Sequence, residues 1–252
     1  MGNFYDRVAK EFGGYGFTNS EPNYRTVFTD IDPEKLFKKL VIDNSNIAST
    51  ALDIGCGDGI FSFQIAKYFK SLIGLDSSKG LIDIANKKLI EYGTNNVEFI
   101  LGDASKMPVK SESIDLALNR RGPSFYREYY RILRANGLYI EVGIGEKDAM
   151  ALKQVFKRGQ NYGDWIFERT ALDIKVFKDL GFKVKVAKNI YYKEFYKNQD
   201  EFSLFLRGVP IFEDFDPLKD KKLLDAYYTK YELETEEIEL DRHRVVYLLE
   251  KF

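Results

Sequence analysis

Short apolar runs alternate with segments of helical period from residue 51 onward, the pattern of a parallel sheet covered on both faces. STALDI (49–54) predicts a buried strand, and Phe61, Ile65, Tyr68 and Phe69 fall on one stripe of the helix after it. SLIGLD (71–76) predicts the next strand, followed by a helix carrying Leu81, Ile84, Ala85, Leu89 and Tyr92. NVEFILGD (96–103) and SIDLALN (113–119) supply two more strands. SFYREYYRILRANG (124–137) reads as a helix closed by Asn-Gly, and LYIEVGIG (138–145) as a fifth strand.

The C-terminal third departs from this rhythm. A helix through Leu172, Val176, Phe177 and Leu180, closed by Gly181, leads into FKVKVAKNIYY, which alternates as a partly exposed strand does. RVVYLLEKF (244–252) has too little before it for another helical crossover and is expected to run antiparallel to its neighbours. The organisation expected is one domain: an N-terminal helical cap (1–48), a core (49–198), a lid-like insertion (199–241) and a final strand (242–252). The insertion is long for a connection inside a compact domain. Its Phe202, Leu204, Phe205, Leu206, Val209, Ile211, Phe212 and Phe215 either roof a substrate pocket or form a subunit contact such as a homodimer. Tyr5, Tyr15 and the glycines between Phe12 and Phe17 suggest a flap at the N-terminus, the alternative being aromatics packed on the sheet.

Composition narrows the functional classes. With 252 residues the chain can bury a core sufficient for an enzyme, and 38 basic against 39 acidic residues give no global positive field for a nucleic-acid backbone. The acidic run Glu232, Glu234, Glu236, Glu237 and Glu239 further disfavours a nucleic-acid track. A single cysteine makes no internal disulfide, no Cys/His cluster offers a zinc ligand set, and no segment reaches the apolar length of a membrane span. A reducing, cytoplasmic setting is expected.

The chemistry concentrates at the strand ends. Gly55, Gly57 and Gly59 stand at alternate positions after the first core strand, where a turn offers backbone N–H groups and close approach to a ligand. The spacing is not the G-x-G-x-x-G of pyrophosphate binding. Asp53 lies on the first strand, Asp76 closes the second and Asp103 the third. Three carboxylates on one rim repel a pyrophosphate and suit a cofactor with ribose hydroxyls, an amino group and positive charge. Taken singly, each could merely cap a turn. Cys56 has no nearby histidine and reads as a small packing residue of the turn. Arg120 and Arg121 either fork onto an anionic acceptor or stand as a solvated pair. His243, the only histidine, opens the last strand, where it is either a general base or a structural hydrogen-bonder.

LDIGCGDG, GLDSS, LGDASKMPV, SIDLALN and RILRANGLYIEV resemble, in order and spacing, the motifs of class I S-adenosylmethionine-dependent methyltransferases, over about residues 51–145. The resemblance implies a Rossmann-like, doubly wound α/β fold with a seven-stranded sheet whose last strand is reversed. It implies S-adenosyl-L-methionine as cofactor, with the turn Gly55, Cys56, Gly57 and Gly59 against its methionine and ribose part, and Asp53 orienting the turn and the amino group. It places Asp76 on the ribose hydroxyls, Ser77 beside the adenine, Asp103 and Ala104 on the adenine amino edge, and Asn119 and Arg120 beside the transferable methyl. Where many relatives carry a proline beside an aromatic after the fourth strand, this chain reads NRRGPS, which leaves the acceptor chemistry open. A small, anionic methyl acceptor is the expectation. An RNA-modifying methyltransferase and a cofactor-binding regulatory protein without catalysis are the alternatives, with a nicotinamide oxidoreductase more distant.

Overall fold

The computed structural model describes residues 4–15, 22–164 and 167–252; Gly16 and Phe17 of the expected flap lie outside the described residues. In chain order the strands are Tyr24–Phe28 (β1), Thr50–Ile54 (β2), Ser71–Asp76 (β3), Val97–Leu101 (β4), Ile114–Arg120 (β5), Leu133–Ile144 (β6), Phe182–Tyr196 (β7) and Ile238–Lys251 (β8). The α-helices are Phe4–Phe12 (α1), Pro33–Asp43 (α2), Ile60–Ile65 (α3), Lys79–Tyr92 (α4), Tyr126–Ile132 (α5), Met150–Phe156 (α6), Arg169–Leu180 (α7), Gln199–Gly208 (α8) and Lys221–Tyr231 (α9).

The strands form one sheet in the order β1-β7-β8-β6-β5-β2-β3-β4, eight strands where seven were expected. Strands β2 to β6 pair in parallel wherever they are neighbours. The Gly145 N–H donates to the His243 carbonyl at one end of β8 and the Lys251 ammonium to the Leu133 carbonyl at the other, so β8 runs antiparallel to β6. The expected α/β fold with a reversed last strand is therefore present in β2 to β8. The eighth strand is β1, antiparallel to the second half of β7, and it interrupts the region expected to be a wholly helical cap.

The chain divides into two compact units. One comprises Asp32–Ile144, Thr170–Asn189 and Val245–Phe252; the other comprises Met1–Ile31, Gly145–Arg169 and Ile190–Arg244. The first holds the parallel strands. Its core gathers Leu52, Ile54, Leu75, Ala117, Tyr139, Phe177 and Tyr247, and β2 is buried at every position after Thr50. Ser78 caps α4 by accepting the Leu81 N–H, and Gly93 closes it in the left-handed conformation. Helix α5 stops at Ile132, short of the expected Asn-Gly, because Leu133 is already extended and pairs with Ile114. Asn136 then turns at positive φ ahead of Gly137.

The second unit has a core of its own. Phe202, Phe205, Leu206, Ile211, Phe212 and Phe215 pack with Leu152, Phe156, Tyr196, Leu224 and Tyr227, while Leu204 packs against Phe4, Val8 and Phe12. The apolar residues of the insertion thus pack within the clusters of this unit.

Candidate active site at the carboxyl ends of β2 to β5

Strand β2 leads into the turn at Gly55, and Gly55, Gly57 and Gly59 all have positive φ, at 71°, 58° and 78°. L-residues with a side chain rarely hold such a backbone, which is why this turn needs glycines. The N–H groups of Gly55 and Cys56 both donate to the Leu75 carbonyl of β3, at 2.7 and 3.0 Å. A Cβ on Gly59 would lie 2.5 Å from Phe99 Cζ, so the β4 phenyl ring closes on the bare backbone of the turn.

Asp76 ties the site together. Its Oδ2 accepts the Gly57 N–H at 2.9 Å and its Oδ1 accepts the Ser78 N–H at 2.8 Å, joining the turn to the start of α4. Asp53 is buried, and its Oδ2 accepts the Ser62 hydroxyl of α3 at 2.6 Å. Burial pushes its pKa up to about 6, with the Ser62 bond and the Arg120 charge opposing the shift. Asp103, at the exposed rim beyond β4, accepts the Ser105 N–H, which holds its pKa below the usual carboxylate range. Ser77 is exposed and Ala104 buried. The Cys56 thiol is buried, and burial raises its pKa, with the Asp53 and Asp76 charges adding to the rise; it stays protonated.

The end of β5 departs from expectation. Asn119 is fully buried and its amide is spent on its own loop: Nδ2 donates to the Pro123 carbonyl and the Tyr139 hydroxyl, and Oδ1 accepts the Gly122 N–H. These bonds shape the backbone at the end of β5. Arg120 and Arg121 are half-buried and reach Glu34 of α2, with N–O separations of 3.9 and 3.7 Å. The Arg120 guanidinium also lies 5.0 Å from the centre of the Phe61 ring.

These residues fit an adenosyl cofactor. Gly55, Gly57 and Gly59 leave the turn's backbone without a Cβ at three of its five positions, so its main chain can be approached closely. A carboxylate oxygen can accept two hydrogen bonds, so the Asp76 oxygens that fix the turn can also take ribose hydroxyls.

The same stretch is recognised by comparison with known proteins: residues 51–137 match the family model of a methyltransferase domain. This stretch is a class I methyltransferase domain. A candidate methyltransferase of Dictyostelium discoideum is 34% identical over 129 residues, covering 49% of this chain and 45% of that protein. The demethylmenaquinone methyltransferase of Lactococcus lactis is 28% identical over 116 residues, covering 42% and 46%. The matched part of the chain thus spans a little under half the length of these curated relatives. The crystal structure of a candidate methyltransferase from Bacillus halodurans superposes with a TM-score of 0.65 at 18% identity, covering 87% of this chain and 98% of that one, a likeness of fold.

Within the unit that holds the parallel strands, three contributors were not foreseen from the sequence. Phe99 reads only as a strand residue, yet it shapes the turn. Asp58, inside the turn, is buried and ion-paired at 2.6 Å to Lys88 of α4. Glu34 comes from the segment expected to be a cap. The DG pair at 58–59 was a signal for a special turn; Lys88 and Glu34 had none, because both meet the site only through the packing of helices.

His243 belongs to the other unit. Its ring is fully buried, stacked on Tyr191 with centroids 4.2 Å apart, and its Nδ1 accepts the Lys147 N–H at 3.2 Å. Burial lowers its pKa to about 4 against the pull of Glu146 and Asp148, so the ring is neutral near pH 7. An enclosed ring with Nδ1 already engaged is badly placed to collect a proton from an acceptor, which corrects the general-base expectation.

Among the described residues no helix is long and apolar enough to cross a membrane.

Proposed function

We propose that this protein transfers a methyl group from S-adenosylmethionine to a small organic molecule, at an oxygen or a nitrogen. The observation that carries the reading is the Asp76 carboxylate, fixed by two N–H groups between a left-handed glycine turn and the N-cap of α4. There it would accept both ribose hydroxyls. Gly55, Cys56, Gly57 and Gly59 would pack along the cofactor, Ser77 and Ala104 would flank the adenine, and Asp103 would accept from its amino edge. Asp53 would hold the turn through Ser62 and α3, and Asn119 would hold the backbone behind the pocket. The cofactor supplies an electrophilic methyl group on a sulfonium.

What remains for the chain is alignment and exclusion of water, and positioning of this kind can supply roughly 7 to 11 kcal/mol. No residue need form a covalent bond with the acceptor. Arg120 and Arg121, steadied by Glu34 and the Phe61 face, would orient an anionic group on it. His243 would serve the packing of its own unit. A relative named for demethylmenaquinone supports a small-molecule acceptor, and a single free, buried thiol suits a reducing, cytoplasmic setting.

The test is calorimetry with S-adenosylmethionine and S-adenosylhomocysteine, followed by transfer of labelled methyl to a panel of small organic acids, phenols and amines. Cofactor uptake with label on one of these is expected. No uptake overturns the reading, and label on total RNA in place of the panel overturns the acceptor class.

A further inference from the structure

Three arginine side chains are about equally accessible to solvent: Arg120 at 29%, Arg131 at 34% and Arg158 at 31%. Arg131 hydrogen-bonds both oxygens of Glu128, and Arg158 both oxygens of Asp220. Arg120 makes no hydrogen bond among the described residues. The carboxylate paired with it, Glu34, stands 3.9 Å off, and its guanidinium rests over the Phe61 ring. A planar fork of five N–H donors is left unspent, and within reach of solvent, at the end of β5.

The chain just past this fork runs along the glycine turn. Arg121 turns at a φ of 63°, and a Cβ on Gly122 would lie 3.5 Å from the Ile54 carbonyl oxygen, one on Gly55 3.8 Å from Gly122 Cα. The acids and thiol of this region are engaged elsewhere. Asp53 is buried on the Ser62 hydroxyl, Asp58 is paired with Lys88, and Glu141 accepts the Tyr139 hydroxyl. Asp76 and Asp103 accept backbone N–H groups, Glu34 faces both arginines, and the buried Cys56 thiol stays protonated. His243, in the other unit, has an enclosed ring with Nδ1 engaged. None of these is placed to strip a proton from a phenol or an ammonium group.

We infer that Arg120 holds a carboxylate of the acceptor and that this carboxylate is itself the group methylated, so that the product is a methyl ester. The inference rests on the methyl-transfer reading and narrows its acceptor. A carboxylate is already ionised near pH 7 and needs no base. One of its oxygens takes the guanidinium N–H. The other forms the new O–C bond with a lone pair as the C–S bond breaks and that bond's electrons return to sulfur. The anion becomes a neutral ester, the sulfonium a neutral thioether, and no proton moves. A phosphonate could engage the same fork, and the experiment separates the two.

In the experiment, the full chain saturated with S-adenosylhomocysteine is titrated calorimetrically with benzoate, hexanoate, succinate and phenylphosphonate. Label from S-adenosylmethionine is then followed onto the same compounds and onto phenol and benzylamine. At least one carboxylate is expected to bind saturably, and at least tenfold more weakly in Arg120→Gln, with S-adenosylhomocysteine affinity unchanged. Its label should be released as methanol by mild alkali, as from a methyl ester and not from an ether or a methylamine. Circular dichroism checks that the variant folds; should it not, Arg120→Lys, which keeps the charge and loses the fork, is read in its place. Alkali-stable label on phenol or benzylamine, preference for phenylphosphonate, no carboxylate binding, or equal binding by the variant overturns the inference and leaves methyl transfer standing. Absence of any cofactor uptake overturns methyl transfer, and the inference with it.

Discussion

Asp76 and Gly57, nineteen positions apart, are joined by a 2.9 Å hydrogen bond from the glycine N–H to the carboxylate Oδ2. One side chain thereby sets the shape of the turn and the direction its own oxygens face. Asp76→Ala should weaken S-adenosylmethionine binding tenfold or more, since it leaves ribose donors unpaired at a cost of about 1–3 kcal/mol and also releases the turn. Asp76→Asn, which keeps one acceptor, should lie between. Calorimetric affinities equal to wild type in both variants would remove Asp76 from the site.

Gly59 combines a φ of 78° with a would-be Cβ only 2.5 Å from Phe99. Gly59→Ala should therefore lose about 2–4 kcal/mol in urea unfolding, from backbone strain and overpacking together. Adding Phe99→Ala should relieve the collision and leave the strain, so Gly59→Ala should cost less in a Phe99→Ala background than in the wild type. Simple additivity of the two single changes would show that the ring does not press on the turn.

The buried acid Asp53 and the buried base His243 pull the stability of the ligand-free protein in opposite directions across one pH window. The Asp53 pKa is raised in the folded state to about 6, so its contribution is fully present below the ordinary value of 3.8 and is lost as pH rises through 6. The His243 pKa is lowered from 6.5 to about 4, so its contribution is fully present above 6.5 and is lost as pH falls through 4. Relative to wild type, Asp53→Asn should give a stability that climbs between pH 4 and 6.5, and His243→Gln one that declines over much the same interval. Urea midpoints collected every half pH unit would test this; parallel profiles for the two variants would rule out the assignment.

Cys56 should resist thiol reagents. Burial and the neighbouring carboxylates keep it protonated, and the thiolate is the reactive form. Ellman's reagent should label the native protein many times more slowly than the urea-unfolded chain. Equal rates would mean that the turn opens freely.

Much of the fold was legible because its strands are buried on both faces and read as continuous apolar runs. TALDI and SLIGLD end where β2 and β3 end, at the glycine turn and at Asp76. Strand β1 was illegible for the opposite reason: its burial pattern is exposed at four of five positions, and it exists through pairing with β7. The helix expected to reach Asn-Gly was overextended because Leu133 is equally apolar in either conformation, and the sheet claimed it. At the candidate site, chain order alone puts the glycines after β2 and Asp76 at the end of β3, where the structure has them. For Asn119, sequence order gives the place at the end of β5 but not the turn of its amide inward to Pro123 and Tyr139. His243 shows the same limit: its position at the head of the last strand could be foreseen, its enclosure by Tyr191 and Lys147 could not.

Strand β1 also has a bearing on solubility. It occupies the flank of β7 from Tyr192 to Tyr196, where unpaired N–H and C=O groups would otherwise invite a strand from another copy. A protein expressed without its first 28 residues would present that flank bare, and its tendency to self-associate would rise while the glycine turn and its acids kept their sequence intact.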